Sequence, residues 1–134
     1  MSNVTLHHVS IVTANLKRSL TFYSDLFELQ SLPRPQFPSS GAWLECGSLQ
    51  LHLVVNVQGT FRGTQGVDNN DGHFALRTDD FEGFINRAIA MGFKEDAPVE
   101  DPKRLLVVRK GVAGFPQVYL LDPDRNVIEV NAVA

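Results

Sequence analysis

Apolar and polar residues alternate through residues 4–13, with Val9 and Ile11 on one face and His8, Ser10 and Val12 on the other. That pattern predicts a half-buried strand. Asn15 then stands where a helix N-cap belongs, and Leu16, Leu20, Tyr23 and Phe27 recur at helical spacing. Such a helix covers the apolar face of the strand and leaves the His8 face open to a cavity. Residues 32–40 carry Pro33, Pro35 and Pro38, which predicts an irregular connection with an extended edge at most. Residues 41–44 and 49–57 predict two strands joined by a Cys46-Gly47-Ser48 turn. In the second of these, Leu51, Leu53 and Val55 share one face and Gln50, His52 and Val54 the other.

The same pattern restarts at Gly72. Phe74 and Leu76 take the apolar face, and His73, Ala75 and Arg77 the other. Asp79 or Asp80 caps a helix that runs to about Met91, where Gly92 ends it. Residues 95–103 predict a surface loop and residues 104–109 a short strand. Residues 117–122 and 126–131 predict a hairpin around Asp122-Pro123-Asp124-Arg125-Asn126. In its last strand, Ile128 and Val130 face one way, and Val127, Glu129 and Asn131 the other. Superposing His8 on His73 brings Ser10 onto Ala75, Ile11 onto Leu76, Thr13 onto Thr78 and Leu16 onto Phe81. This is an internal repeat, and each copy predicts βαβββ. The expected organisation is one domain over 1–134, with module one at about 4–57 and module two at about 72–132. Between them, a Gly-, Asn- and Gln-rich linker at 58–71 suits a mobile loop or a lid.

Length turns the repeat into modules rather than domains, because 134 residues support one conventional core and not two. A formal charge of −3 with scattered Lys and Arg excludes a nucleic-acid partner. No apolar run is long enough to cross a bilayer, and the opening residues show no cationic stretch followed by an apolar run, so no leader segment is expected. The single cysteine, Cys46, rules out an internal disulfide and fits a reducing compartment, so a cytoplasmic protein is expected. Its place in a turn reads as structural; a nucleophile would need a base or cation beside it.

Four residues share one description. His8, His52, His73 and Glu129 each sit in a strand, opposite the branched aliphatics, and Glu129 holds in module two the place of His52 in module one. Singly, a strand histidine is more often a hydrogen-bonded side chain than a ligand, and Glu129 could be an edge charge. Their repeat-equivalent placement argues for a set. If these faces line one cavity, three imidazoles and a carboxylate converge on a divalent ion such as Ni, Zn, Mn, Co or Fe. Two coordination positions would stay open for substrate oxygens, as a Lewis-acid metalloenzyme requires. His7 points to the other face.

Across nearly its whole length the chain resembles the vicinal-oxygen-chelate superfamily, which includes glyoxalase I, extradiol dioxygenases, fosfomycin and bleomycin resistance proteins and methylmalonyl-CoA epimerase. The residues that carry the resemblance are His8-Val9, Asn15-Leu16, Ser19, Phe22-Tyr23, Gly41-Ala42-Trp43-Leu44, Leu51-His52-Leu53, His73, Asp122-Pro123-Asp124 and Ile128-Glu129. The resemblance implies an α+β fold in which two tandem βαβββ modules form a curved sheet around a metal-binding cavity. It implies ligands at His8, His52, His73 and Glu129, and a homodimer, with the site inside one chain or shared between two. His52 departs from the carboxylate or glutamine usual there, and Arg125 replaces a turn glycine.

The activity implied first is glyoxalase-like lyase or isomerase chemistry on a small, thiol-conjugated carbonyl substrate, with Glu129 as base and His52 as ligand or second acid–base group. An extradiol dioxygenase would use His8, His73 and Glu129 alone. Thiol transfer to fosfomycin fits the same ligands, and a bleomycin-resistance-like binder would have no catalytic role. Arg34, Trp43, and Arg109 or Lys110 could rim a site for an anionic, partly apolar small molecule.

Overall fold

The structure is a computed structural model that describes residues 2–133, so the two terminal residues of the 1–134 span fall outside it. In the first half, β1 (His8–Thr13) leads through α1 (Leu16–Phe27) to β2 (Gln30–Leu32), β3 (Gly41–Cys46) and β4 (Leu49–Val55). In the second, β5 (His73–Thr78) leads through α2 (Phe81–Ala90) to β6 (Leu106–Val108), β7 (Gln117–Leu121) and β8 (Val127–Ala132). Each half forms its own four-stranded sheet, ordered β1-β4-β3-β2 and β5-β8-β7-β6. First and last strands pair in parallel and the remainder antiparallel, so the tandem βαβββ arrangement read from the repeat is present. The chain divides into compact units at Thr60 and Phe61. Among the described residues no helix is long and apolar enough to cross a membrane.

Local chemistry explains the helices. Asn15 has an extended backbone, and its side chain accepts the Arg18 N–H at 3.0 Å, which satisfies one orphan donor of α1. Asp80, not Asp79, caps α2, accepting the Gly83 N–H at 3.0 Å. Gly92, at φ 98°, lets the chain leave that helix. The buried stripe of α1 is Ser19, Phe22, Tyr23 and Leu26; Leu16, Leu20 and Phe27 are half-buried at its margins. The polar Ser19 disguised that stripe. Its hydroxyl meets Thr13 Oγ1 at 2.7 Å, so a small satisfied pair replaces an apolar contact between β1 and the helix. β2 pairs with β3 ahead of the prolines, in a three-residue strand too short to show alternation.

Two arginines fasten the segment that follows Thr60. Arg62 donates to Asp71 Oδ2 at 2.7 Å and to the carbonyls of Gly66 at 2.8 Å and Arg125 at 3.0 Å. Arg125 Nη1 donates to the carbonyls of Thr64, Gln65 and Glu100 at 3.2, 2.9 and 3.1 Å. Val67 is thereby buried against Tyr119, Leu121 and Val127. Arg125 adopts φ 66°, the left-handed region in which glycine is at ease and other residues are strained. The strain and the three hydrogen bonds oppose each other. Arg125→Ala, which keeps the strain and loses the bonds, is therefore expected to cost about 1–2 kcal/mol, and Arg125→Gly less than about 1 kcal/mol. Urea melts of the two variants check the order.

Candidate metal-binding site

The strand registers confirm the equivalences on which the candidate site depends. Ser10 pairs with His52 as Ala75 pairs with Glu129, and Trp43 faces His52 as Tyr119 faces Glu129. His8 and His73 open their strands and are exposed, whereas His52 and Glu129 are buried, each 6% exposed. The structure thus brings the four residues together as two pairs, His8 with His52 in one unit and His73 with Glu129 in the other. Among the described residues, no group of three or more His, Cys, Asp or Glu gathers in one place.

In the second unit His73 and Glu129 stand side by side. The Nδ1 atom of His73 lies 2.8 Å from the Asp71 carbonyl, which only accepts, so that nitrogen carries a proton. Nε2 of the same ring lies 3.3 Å from Glu129 Oε1. In a neutral ring this sets a lone pair against a carboxylate oxygen, an arrangement relieved by a proton or a cation between them. A histidine tied through one nitrogen to a carbonyl, with the other free, is the usual form of a metal-ligating histidine. An imidazole nitrogen and a carboxylate oxygen also suit a borderline divalent ion, so these residues fit the expected group.

Glu129 is held from several sides. Burial works to raise its pKa, but hydrogen bonds from Asn131, Tyr119, Gln117 and His73 outweigh burial and keep the carboxyl below the ordinary carboxylate range. Asn131 Nδ2 donates to Oε2 at 2.6 Å. Tyr119 stays a phenol, because burial, then the hydrogen bond to Glu129 and its charge, push its pKa up to about 12. Its hydroxyl in turn accepts from Gln117 Nε2 at 3.0 Å. Tyr119, Gln117 and Asn131 were not singled out from sequence. The alternation that puts Gln117, Tyr119 and Leu121 on one face of β7, opposite Glu129, was the signal available.

In the first unit the rings are stacked. His52 lies 4.0 Å from the His8 centroid at 16° and 4.4 Å from the Trp43 centroid at 5°. His52 Nε2 meets Gln50 Oε1 at 2.8 Å. Burial, followed by the charges of His8, His7 and Arg34, lowers the His52 pKa and favours the neutral ring. Trp43 continues to Phe37 at 6.1 Å, and the Arg34 guanidinium sits 4.8 Å over the Phe37 ring. Arg34 Nη1 donates to the Ser39 carbonyl at 3.0 Å. A Cβ at Gly41 would run into the Leu53 carbonyl and this guanidinium, so only glycine lets Arg34 pass there. Arg34 and Trp43 therefore lie on the His52 side of their unit. Arg109 is engaged within its own unit by Glu82 at 2.9 Å and Glu95 at 3.4 Å. Burial pushes the Cys46 thiol up, which keeps it protonated and supports its structural reading.

Comparison with known proteins matches residues 5–130 to the Glyoxalase/Bleomycin resistance protein/Dioxygenase superfamily model. Among characterised relatives, the glutathione transferase FosA of Serratia marcescens is 24% identical over 127 residues, 95% of this chain and 79% of that protein. Lactoylglutathione lyase from Agrobacterium tumefaciens superposes with a TM-score of 0.69 at 20% identity, covering 98% of this chain and 96% of the other. A variant of the fosfomycin resistance protein FosX from Listeria monocytogenes gives 0.72 at 14% identity, covering 100% and 95%. That structure is a complex with Mn(II) and 1S,2S-dihydroxypropylphosphonic acid. Likeness at this identity establishes a shared fold.

Proposed function

This chain belongs to the glyoxalase/bleomycin resistance protein/dioxygenase superfamily, and on that premise we propose that it is a divalent-metal-dependent enzyme of the glyoxalase type. It acts as a lyase or isomerase on a small carbonyl substrate that offers two adjacent oxygens. The observation that carries this reading is the His73–Glu129 pair, in which one ring nitrogen is tied to the Asp71 carbonyl and the other is aimed at a buried carboxylate. His73 and Glu129, with His8 of the same chain or of a second copy, would hold a Ni, Zn, Mn, Co or Fe ion, whose Lewis acidity makes a proton beside a carbonyl easier to remove.

The chain's own groups do the remaining work. Glu129 takes and returns that proton, and the donors on Asn131 and Tyr119 keep its carboxylate oriented while it does so. Trp43 offers a flat wall to the substrate, and Arg34 a positive charge for an anionic tail. The protein works as a homodimer in the cytoplasm, in keeping with its lone free cysteine. A second reading is addition of a thiol to a fosfomycin-like phosphonate. It is favoured by the alignment with FosA over 95% of this chain.

Elemental analysis of tag-free protein beside His73→Ala tests the common premise. About one equivalent of metal per chain, lost in the variant, is expected. Protein that holds no metal and takes up none of added Ni, Zn, Mn or Fe would overturn it. Loaded protein given methylglyoxal–glutathione hemithioacetal, and separately glutathione with fosfomycin, then divides the two readings.

A further inference from the structure

The stacked rings of the first unit give His52 a role other than ligation. Register places Trp43 of β3 directly opposite His52 of β4, with Ser10 of β1 on the other side and His8 two residues before it. Ser10 is small, so the His8 ring can lie back over His52. Three planar rings from three neighbouring strands thus form one stack, His8–His52–Trp43, with interplanar angles of 16° and 5°.

Imidazole lone pairs lie in the ring plane. Planes this close to parallel, with centroids 4.0 Å apart, do not meet within the ~2.1 Å reach of a metal–imidazole bond from both rings. One His52 nitrogen is moreover engaged by Gln50 Oε1 at 2.8 Å. His8 is exposed at the start of its strand, where a side chain samples several rotamers unless neighbours restrain it; besides His52 it meets His7, expected on the other face but here 2.9 Å away between Nδ1 atoms. The second unit has no such stack, because Glu129, Tyr119 and Val127 stand where His52, Trp43 and Gln50 stand here.

We infer that His52 is a positioning residue: backed by Trp43, it fixes the plane and rotamer of His8 toward a divalent cation and does not itself bind the ion. This rests on the metal-enzyme reading above. Sequence equivalence alone would make His52 the counterpart of Glu129, a fourth ligand. The geometry instead gives it a partner on each face.

Titration of tag-free protein with Co²⁺, read as affinity and as visible d–d bands, tests this in the wild type and in His52→Phe, His52→Ala, Trp43→Leu and His73→Ala. Phenylalanine keeps the flat ring and removes both nitrogens; leucine keeps apolar bulk and removes the plane. His52→Phe is expected to stay within about threefold of the wild-type affinity with unchanged bands. His52→Ala and Trp43→Leu should each weaken binding by about tenfold, the worth of one aromatic pair. Loss of Co²⁺ in His52→Phe as complete as in His73→Ala, or displaced bands, would make His52 a ligand and overturn the inference. So would wild-type affinity in Trp43→Leu, a result that holds even where His52→Phe does not fold. A wild type that takes up no Co²⁺ would overturn the metal reading as well, and would be recognised by its identity with His73→Ala.

Discussion

Glu129→Gln is expected to fold as well as the wild type and to lose divalent-cation binding by about a hundredfold or more, beyond the usual cost of removing an outer-shell partner. The two halves of this expectation have one origin. In the wild type, His73 Nε2 lies 3.3 Å from Glu129 Oε1. A glutamine turned with its oxygen toward Asn131 still accepts that 2.6 Å bond, and its amide then donates to His73. One contact to His73 is exchanged for another, so stability without metal should hold within about 1 kcal/mol. What disappears is the charge that a cation needs. A metal at about a hundred times its Kd should stabilise the wild type by about 2.7 kcal/mol and the variant by about 0.4 kcal/mol or less. Thermal melts with and without Co²⁺ measure both parts. A variant that melts far below the wild type, or gains as much stability from Co²⁺ as the wild type does, would sink the account.

The module plan was legible because it is written twice. Strands that begin at His8 and His73, helices capped by Asn15 and Asp80, and a terminal hairpin all follow from periodicity and cap chemistry. What escaped reading was local and polar. Ser19 sits in the middle of the buried face of α1 because Thr13 satisfies it, a partnership that no apolar pattern announces. β2 has three residues and therefore no period to detect.

The candidate site divides in the same way. Equivalent positions of His52 and Glu129 were visible, and the registers agree. Their different surroundings were not, because those depend on cross-strand neighbours. Trp43 makes the neighbourhood of His52 a stack, whereas Tyr119 makes that of Glu129 a hydrogen-bond network. The Arg62 and Arg125 contacts were invisible for a related reason: guanidinium groups that cap loop carbonyls read in sequence as solvated charges. The left-handed backbone at Arg125, where the resemblance calls for glycine, was the one hint that this arginine has structural work.

Tyr23→Ala should be the most destabilising single change considered, at about 3–5 kcal/mol against a typical total of about 5–15 kcal/mol. Tyr23 is fully buried on the face of α1 that packs against β3 and β4. Its ring meets Phe22 edge-on at 5.0 Å and lies across Phe27 at 5.8 Å and 28°. Removing the ring loses apolar burial and two aromatic contacts together, and helix and sheet can only partly collapse into the space. The unit that contains it ends at Thr60, a size at which a core has little to spare. Trp43, the only tryptophan, lies on β3 in the same unit, so its emission reports this loss directly. In urea the emission change should move to markedly lower denaturant in Tyr23→Ala. Tyr23→Phe keeps the ring contacts and should cost no more than about 1.5 kcal/mol. Equal midpoints for the alanine variant and the wild type would mean that α1 does not hold the strands carrying His52 and Trp43 in place. The His8–His52–Trp43 stack would then need another support.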